Sequence, residues 1–218
     1  MRSAGSRKHR PGFIRDNWGF LLFIVLMLTM RSSLADWYDV PTGSMQPTIV
    51  EGDRIFVNKA AYYLEVPFTN IRVMQTGKVK RGDIVIIDSD HEDMRLVKRV
   101  VGLPGDCISM QNNVLTVNGE TLTYRRQNPQ TYEETLDNSR HLIQLRAVPA
   151  AKHSFSATCI PDKQLMVLGD NRNNSRDFRF IGFVSLSEIQ GKATSVLFSL
   201  DPDDHYLPRP ARTLRQLM

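Results

Sequence analysis

The sequence predicts a mainly β fold preceded by one N-terminal transmembrane helix. Three observations support this prediction: short runs in which apolar and polar residues alternate, Gly-Asp pairs between those runs, and an uncharged apolar run from Trp18 to Met30. The chain has 218 residues, of which 41% are hydrophobic, so it can bury a core of its own.

The apolar run is the candidate membrane helix. As an α-helix, its thirteen residues reach about 20 Å, whereas the hydrocarbon core of a bilayer is about 30 Å thick. We therefore expect the helix to extend over residues 17–36, with Arg31 reaching the far headgroups and Trp18 and Trp37 at the two interfaces. A cleaved signal peptide is the alternative, because a basic start, a short apolar run and Ser33-Leu-Ala35 fit that pattern as well.

Basic residues are concentrated at the N-terminus. Residues 1–16 carry five basic side chains and one acid, which accounts for +4 of the formal net charge of +5. Because basic residues stay on the cytoplasmic side of a membrane helix, this excess predicts a cytoplasmic N-terminus and an external remainder, and it does not indicate a nucleic-acid partner. Cys107 and Cys159 would then lie in an oxidising compartment, where either a disulfide or two unpaired buried cysteines fits the sequence.

Six runs of apolar and β-branched residues are predicted to be strands. They are residues 54–58, 83–88, 95–101, 114–117, 164–168 and 192–198. The Gly-Asp pairs mark turns next to strands. They lie at residues 52–53, 82–83, 105–106 and 169–170.

Two stretches differ in composition from this pattern. Residues 107–160 are polar and rich in Asn and Gln, with a hairpin turn predicted at Asn118-Gly119. We interpret them as a small inserted β subdomain without a function of its own, which divides a core of residues 37–106 and 161–200. Residues 201–218 combine an acidic turn with three arginines and spaced leucines, which fits either an arm on anionic lipid or a solvated tail.

Ser44 and Lys98 are the candidate catalytic residues. Ser44 follows Gly43, which lets another backbone come close, and a serine needs a base before it can act as a nucleophile. The five histidines lie in the N-terminal tail, a charged loop, the 107–160 insertion and the acidic C-terminal turn, so the sequence does not favour a Ser/His pair. No His or Cys spacing typical of a metal site occurs, and we expect neither a metal nor a cofactor.

Lys98 meets the requirement for a lysine base. A lysine acts as a base only when neutral, and burial among apolar side chains lowers its pKa from about 10.4. If residues 95–101 form a strand, alternation places Lys98 on the face of Leu96 and Val100, with Arg99 on the opposite face.

Four sequence blocks occur in the order that is found in bacterial signal peptidase I, and the chain resembles that family. The blocks are Pro41-Thr-Gly-Ser-Met-Gln-Pro-Thr48, Arg81-Gly-Asp-Ile-Val85, Lys98-Arg-Val-Val-Gly-Leu-Pro-Gly-Asp106 and Gly169-Asp-Asn-Arg-Asn-Asn-Ser-Arg-Asp177. The resemblance implies an antiparallel β-sheet catalytic core with a small inserted β domain, carried on a transmembrane anchor. It implies a membrane-bound serine endopeptidase with a Ser/Lys dyad, which removes signal peptides from exported preproteins after small-x-small sites such as Ala-x-Ala.

The resemblance also assigns roles to individual residues. The backbone N–H of Ser44 and the hydroxyl of Thr42 would form the oxyanion hole. Supporting roles fall to Ser175, which would hydrogen-bond and orient the Lys98 amine, and to Asp170, Asp177, Arg99 and Arg179, which would tie the surrounding loops together. The substrate pockets would be lined by Tyr38, Val40, Pro41, Met45, Ile49, Ile55, Leu96 and Val97, with ordinary core packing as the alternative for each.

The predicted setting is the bacterial cytoplasmic membrane, with the catalytic part on the outer, periplasmic face. The expected partners are signal peptides of exported preproteins and the lipid bilayer, and the protein is expected to be a monomer. Three alternatives stay open at this point: a specialised relative that processes one conjugation or secretion substrate, a soluble self-cleaving Ser/Lys protease, and a membrane-anchored β module that binds exported chains without cutting them.

Overall fold

Antiparallel strands make up most of the structure, a computed structural model that describes residues 17–69, 71–89, 94–146 and 152–217. The predicted basic tail, residues 1–16, lies outside the described residues. The helices of the described part are α1 (Trp18–Ser33) and α2 (Phe178–Ile181). The strands are β1 (Ala35–Asp39), β2 (Asp53–Asn58), β3 (Tyr63–Glu65), β4 (Arg72–Gln75), β5 (Ile84–Ser89), β6 (Met94–Gly102), β7 (Cys107–Gln111), β8 (Val114–Val117), β9 (Glu120–Thr121), β10 (Thr123–Arg126), β11 (Thr131–Leu136), β12 (Ser139–Gln144), β13 (Phe155–Cys159), β14 (Gln164–Leu168), β15 (Val184–Ser185), β16 (Ile189–Asp201), β17 (Leu207–Pro208) and β18 (Arg215–Gln216).

A nine-stranded sheet forms the centre of the molecule, in the order β1-β2-β16-β5-β6-β14-β15, with β17 and β18 paired to β16. The six predicted strands are confirmed, because they correspond to β2, β5, β6, β8, β14 and β16 with small shifts of their ends. Strand β5 lies between β16 and β6 and is buried on both faces, which explains its continuous apolar run Ile84-Val-Ile-Ile87. The mainly β fold class is therefore confirmed.

Helix α1 is shorter than the predicted helix over residues 17–36. It ends at Ser33, where the N–H of Leu34 still donates to Met30 O at 2.9 Å, and Ala35 already pairs with Asn58 of β2. The prediction was wrong at this end because pairing with β2 draws Ala35 and Asp36 into the sheet. Among residues 17–69, 71–89, 94–146 and 152–217, no helix combines the length and apolar character needed to span a bilayer.

The described residues between Cys107 and Cys159 build two smaller sheets. One has the order β13-β7-β8-β9 and the other the order β10-β11-β12. The hairpin turn predicted at Asn118-Gly119 is confirmed: both residues have positive φ, 52° and 86°, and they join Val117 to its partner Glu120.

The C-terminal segment lies against the central sheet. Arg212 forms a two-bond ion pair with the buried carboxylate of Asp53, at 2.6 and 3.0 Å, and donates to Thr48 O at 3.0 Å. Leu217 packs against the core that surrounds Ile55 and Val196. The alternatives considered from the sequence did not include this packing, since an arginine-rich tail carries no local signal for a buried acid elsewhere in the chain.

Cys107 and Cys159 form a disulfide, which resolves the choice that the sequence left open. The two residues face each other in the pairing of β7 with β13. The bridge closes the whole 107–159 stretch, with a sequence separation of 52.

Replacing both cysteines with serine should lower the free energy of unfolding by about 2–4 kcal/mol, since a closed loop of this length restricts the unfolded chain. Denaturant unfolding of the wild type and the double variant would measure this. The wild type treated with a reductant is the matched control and should lose the same amount. An unchanged unfolding free energy in both samples would contradict the prediction.

Candidate active site

The side chains of Ser44 and Lys98 meet although 54 residues separate them in the sequence. Ser44 lies in the 3-10 turn Gly43–Met45 between β1 and β2, and Lys98 lies in β6. The Lys98 Nζ is 3.0 Å from the Ser44 Oγ and also donates to Val97 O at 3.0 Å. A hydroxyl and an amine at this distance can exchange a proton directly.

Lys98 is buried, with only 2% of its surface exposed. Leu96 and Val100 of the same strand belong to one apolar cluster, on the face predicted for Lys98. Burial lowers the pKa of Lys98 to about 8, although the carboxylates of Asp177 and Asp170 act in the opposite direction. On the order of a tenth of the lysine is therefore neutral at pH 7, which suits a general base.

Asn171 holds the turn that carries Ser44. Its backbone N–H donates to Ser44 O at 3.0 Å, and its side-chain Nδ2 donates to Gly43 O at 3.0 Å. One residue thus fixes two of the three carbonyl groups of the turn, those of Gly43 and Ser44. Sequence reasoning missed Asn171, and the only signal for it was its place in the block from Gly169 to Asp177.

Arg99 and Asp170 form a buried ion pair beside this contact. The guanidinium donates to both carboxylate oxygens at 2.8 Å, and each side chain is 1% exposed. The Thr48 hydroxyl also donates to Asp170, which connects the ion pair to the segment that follows Ser44. Burial alone would raise the pKa of Asp170, but Arg99 and the Thr48 hydrogen bond lower it below its usual value.

Asp177 and Arg179 form a second buried ion pair. The guanidinium of Arg179 donates to the two Asp177 oxygens at 2.8 and 2.7 Å, and Asp177 accepts the backbone N–H of Gly169 at 3.0 Å. Asp177 is also the N-cap of α2, where its side chain accepts the Arg179 N–H. The structure therefore brings all four predicted supporting charges around the segment from Gly169 to α2.

The predicted hydrogen bond between Ser175 and the Lys98 amine is not formed. The Ser175 Oγ is buried and has no hydrogen-bond partner among the described residues, while Lys98 is bonded to Ser44 and Val97. Ser175 lies instead beside Gly169, where an added Cβ would be 2.2 Å from its Oγ.

The predicted pocket residues fall into three groups. Val40, Met45, Ile49 and Ile55 are at most 5% exposed and form part of one core cluster, against which Tyr38 and Val97 pack while partly exposed. Leu96 belongs to a different core cluster, and Pro41 is exposed. Only Tyr38, Pro41 and Val97 thus present appreciable surface, and their role in substrate binding stays a prediction.

Thr42 is exposed and directly precedes the 3-10 turn of Ser44. Its assignment to an oxyanion hole stays a prediction. No group of three or more His, Cys, Asp or Glu side chains in the described ranges is arranged to hold a metal ion.

Comparison with known proteins places this arrangement in a family. A family model described as "Signal peptidase, peptidase S26" matches residues 15–198. A signal peptidase I of Enterococcus faecalis V583, known from a crystal structure, is 26% identical with a TM-score of 0.36, over 54% of this chain and 97% of that chain. Signal peptidase I of Pseudomonas aeruginosa is 35% identical over 213 residues, covering 88% of this chain and 74% of the relative. Signal peptidase I of Bacillus licheniformis is 32% identical over 179 residues, covering 82% and 84%. Because the family model covers most of the chain and the Pseudomonas aeruginosa and Bacillus licheniformis relatives are matched over 74% and 84% of their own length, the chain belongs to the signal peptidase family, peptidase S26.

Proposed function

We propose that this peptidase cleaves signal peptides from exported preproteins by a Ser44/Lys98 dyad. The observation that carries the proposal is the 3.0 Å separation between the Ser44 Oγ and the amine of a buried lysine whose pKa is lowered to about 8. A serine hydroxyl next to a neutral amine has the two functions that covalent peptide hydrolysis requires: a nucleophile and a base.

The reaction proceeds in two halves. The Ser44 Oγ attacks the carbonyl carbon of the scissile peptide while Lys98 takes the hydroxyl proton, and the resulting oxyanion accepts hydrogen bonds from the Ser44 N–H and the Thr42 hydroxyl. The tetrahedral intermediate expels the new amino terminus, which receives the proton from the Lys98 ammonium. Water then attacks the acyl-enzyme with Lys98 again as base, and the signal peptide leaves as a carboxylate.

The substrate binds as an added strand along β6. Strand β14 pairs with β6 only from Arg99 to Gly102, so the same edge of β6 between Met94 and Lys98 has no partner among the described strands. A peptide on this edge passes directly by Lys98. The partly exposed Val97 and Tyr38 line its path, and the closely packed core behind them restricts the pockets to small side chains, in keeping with an Ala-x-Ala site.

Lipid contact is proposed from exposed apolar surface. In α1, the side chains of Trp18, Phe20 and Phe23 are 61–64% exposed, and in the hairpin β3–β4 Phe68 is 68% exposed. The hairpin is fastened to the end of α1, because the Phe68 N–H donates to the Ser32 Oγ at 2.7 Å. A continuous apolar surface of this kind favours a bilayer as partner.

We place residues 1–16 in the cytoplasm, and the catalytic part, a monomer, on the periplasmic face of the bacterial inner membrane.

Replacing Phe23 and Leu26 of α1 with aspartate should release the protein from vesicles. Each acidic residue in the apolar region costs about 2.5–3.5 kcal/mol, so the bound fraction at low lipid concentration falls by more than about 100-fold. Flotation with phospholipid vesicles measures this. Val114→Asp is the control, because Val114 is an exposed valine in β8, which belongs to a different sheet from β1, the strand that follows α1. This variant should float like the wild type. Equal flotation of all three proteins would rule out α1 as the lipid contact.

The substrate class is tested with several unrelated preproteins, each carrying an Ala-x-Ala site, in detergent micelles. Mass spectrometry of the products should show cleavage directly after the second alanine, and the Ser44→Ala variant should give no product. Cleavage of only one preprotein would replace the general activity by specialised processing. Binding of all of them without product would replace the peptidase mechanism by the non-enzymatic alternative.

A further inference from the structure

The inserted sheet β10–β12 contains a buried carboxylate, that of Glu134, whose surroundings do not fit a solvated extension. Its side chain is 0% exposed. Tyr124, Glu134 and His141 face one another in register across β10, β11 and β12, so they share one face of the sheet. The Tyr124 hydroxyl donates to Glu134 Oε2 at 2.5 Å, and His141 Nε2 lies 3.1 Å from Oε1.

The partner of Glu134 comes from the catalytic core. The guanidinium of Arg172 donates to the two Glu134 oxygens at 2.8 and 2.6 Å, and the Arg172 side chain is only 1% exposed. Burial alone would raise the pKa of Glu134, but Arg172 and His141 hold it well below its usual value, so the carboxylate stays charged. A buried pair of this kind is a poor source of stability compared with apolar side chains, yet its directional bonds fix a position.

The residue whose position is fixed in this way is Asn171, the neighbour of Arg172 in the sequence. Gln144, at the end of β12, donates its N–H to Asp170 O at 2.7 Å and accepts the Arg172 N–H at 3.0 Å. Asn171 lies between these two bonds, paired with Gln144 in a parallel bridge. Asn171 in turn holds the carbonyl groups of Gly43 and Ser44.

We propose that Glu134 is a positioning residue for catalysis, which acts through Arg172 and Asn171 on the turn that carries Ser44. The inserted sheet is then a part of the active-site support and not a separate extension, which revises the interpretation drawn from the sequence. The inference rests on the proposed role of Ser44 as nucleophile. It assigns Glu134 no contact with substrate or with the reacting atoms.

The test compares Glu134→Gln with Glu133→Gln. The first change keeps the size of the side chain but removes the charge and one acceptor for Arg172. The second changes a partly exposed neighbour that points to the other face of β11. With a preprotein substrate, at a temperature well below the unfolding midpoint of each variant, Glu134→Gln should lower kcat by about 10–100-fold with KM within about threefold of the wild type, since a small displacement of a nucleophile has effects of this size. Glu133→Gln should match the wild type.

The pH dependence separates positioning from a change at the base. Glu134→Gln should keep the wild-type midpoint of the pH–kcat profile, because the surroundings of Lys98 are unchanged, and only the plateau should fall. A folded Glu134→Gln variant with the kcat of Glu133→Gln would overturn the proposal, since a purely structural pair affects unfolding and not turnover.

Tyr124→Phe decides the matter if Glu134→Gln does not fold. It removes one hydrogen bond from the carboxylate without leaving a buried charge unpaired, and it should lower kcat by about 3–10-fold at unchanged KM. An unchanged kcat in this variant would also overturn the proposal. Ser44→Ala is measured in the same series: if it still cleaves, the proposed function itself fails, whereas an inactive Ser44→Ala beside a fully active Glu134→Gln rejects only the positioning role.

Discussion

Replacing Lys98 with methionine should lower the rate of cleavage at least about 100-fold at every pH and at the same time make the protein more stable at neutral pH. The loss of activity follows from the loss of the base that contacts Ser44, and removal of a general base typically costs about 10²–10⁴-fold in rate. Methionine has a similar length and no charge, so it fits the buried position of Lys98 without the cost of desolvating an ammonium group.

The gain in stability depends on pH in a definite direction. The pKa of Lys98 is about 8 in the folded protein and 10.5 for an unperturbed lysine, so below about pH 8 both states are protonated and the folded state carries the full penalty. The penalty is about 3 kcal/mol, and it decreases as the pH rises towards about 10.5, because the folded state releases its proton first. The free energy of unfolding of Lys98→Met should therefore exceed that of the wild type most at pH 7 and least above pH 10.5.

Denaturant unfolding and preprotein cleavage over a pH series measure the two effects together. Wild-type kcat/KM should rise about tenfold per pH unit below pH 8 and then level off, as the neutral lysine accumulates. Lys78→Met, which changes an exposed lysine, is the control and should alter neither property. Cleavage by Lys98→Met at the wild-type rate would exclude Lys98 as the base. A stability difference between Lys98→Met and the wild type that is the same at pH 7 and at pH 10.5 would contradict a lowered pKa of Lys98.

The sequence was sufficient to predict the strands and the environment of Lys98 because both depend on local alternation. Strand β6 pairs with β5 in regular register from Met94 to Arg99, so the face of each side chain follows from its position in the run. The pairing of Ser44 with Lys98 was predicted from the resemblance that the four ordered sequence blocks carry. That prediction did not require any local signal for the contact between the two residues.

The residues that hold the site could not be predicted because their partners are distant and polar. Asn171 contacts Gly43 across 128 residues, and Glu134 contacts Arg172 across 38 residues. Neither pair produces a periodic pattern in the sequence. In the run Thr131-Tyr-Glu-Glu-Thr-Leu136, nothing distinguishes the buried Glu134 from the partly exposed Glu133 beside it. A polar stretch in the sequence thus concealed a buried ion pair.

Gly169 illustrates a second limit of prediction from the sequence, because the four Gly-Asp pairs do not have the same backbone conformation in the structure. Gly52, Gly82 and Gly105 have φ between 83° and 89°, which is the turn conformation that their pattern predicted. Gly169 has no such φ and follows β14 directly. It is required for close approach: a Cβ at this position would lie 2.4 Å from Ser44 O and 2.2 Å from the Ser175 Oγ.

Replacing Gly169 with alanine should therefore reduce kcat by about 100-fold or more. The backbone cannot yield easily, because the Gly169 N–H is bonded to Asp177 and the next residue, Asp170, is bonded twice to Arg99. The added methyl group must then displace Ser175 or the carbonyl group of Ser44, and overpacking of this kind also costs about 1–3 kcal/mol of stability. Preprotein cleavage below the unfolding midpoint of the variant measures the loss of activity.

Two further variants identify which contact is responsible. Gly105→Ala is the control, because Gly105 has a positive φ and no atom lies within 4 Å of a Cβ added there. This variant should lose stability through backbone strain and keep the wild-type kcat. Adding Ser175→Gly to Gly169→Ala removes the contact with Ser175 and leaves the contact with Ser44 O. If the double variant stays as inactive as Gly169→Ala, displacement of the nucleophile turn is the cause of the loss. If the double variant recovers, Ser175 was the obstacle, and the close approach to Ser44 is tolerated.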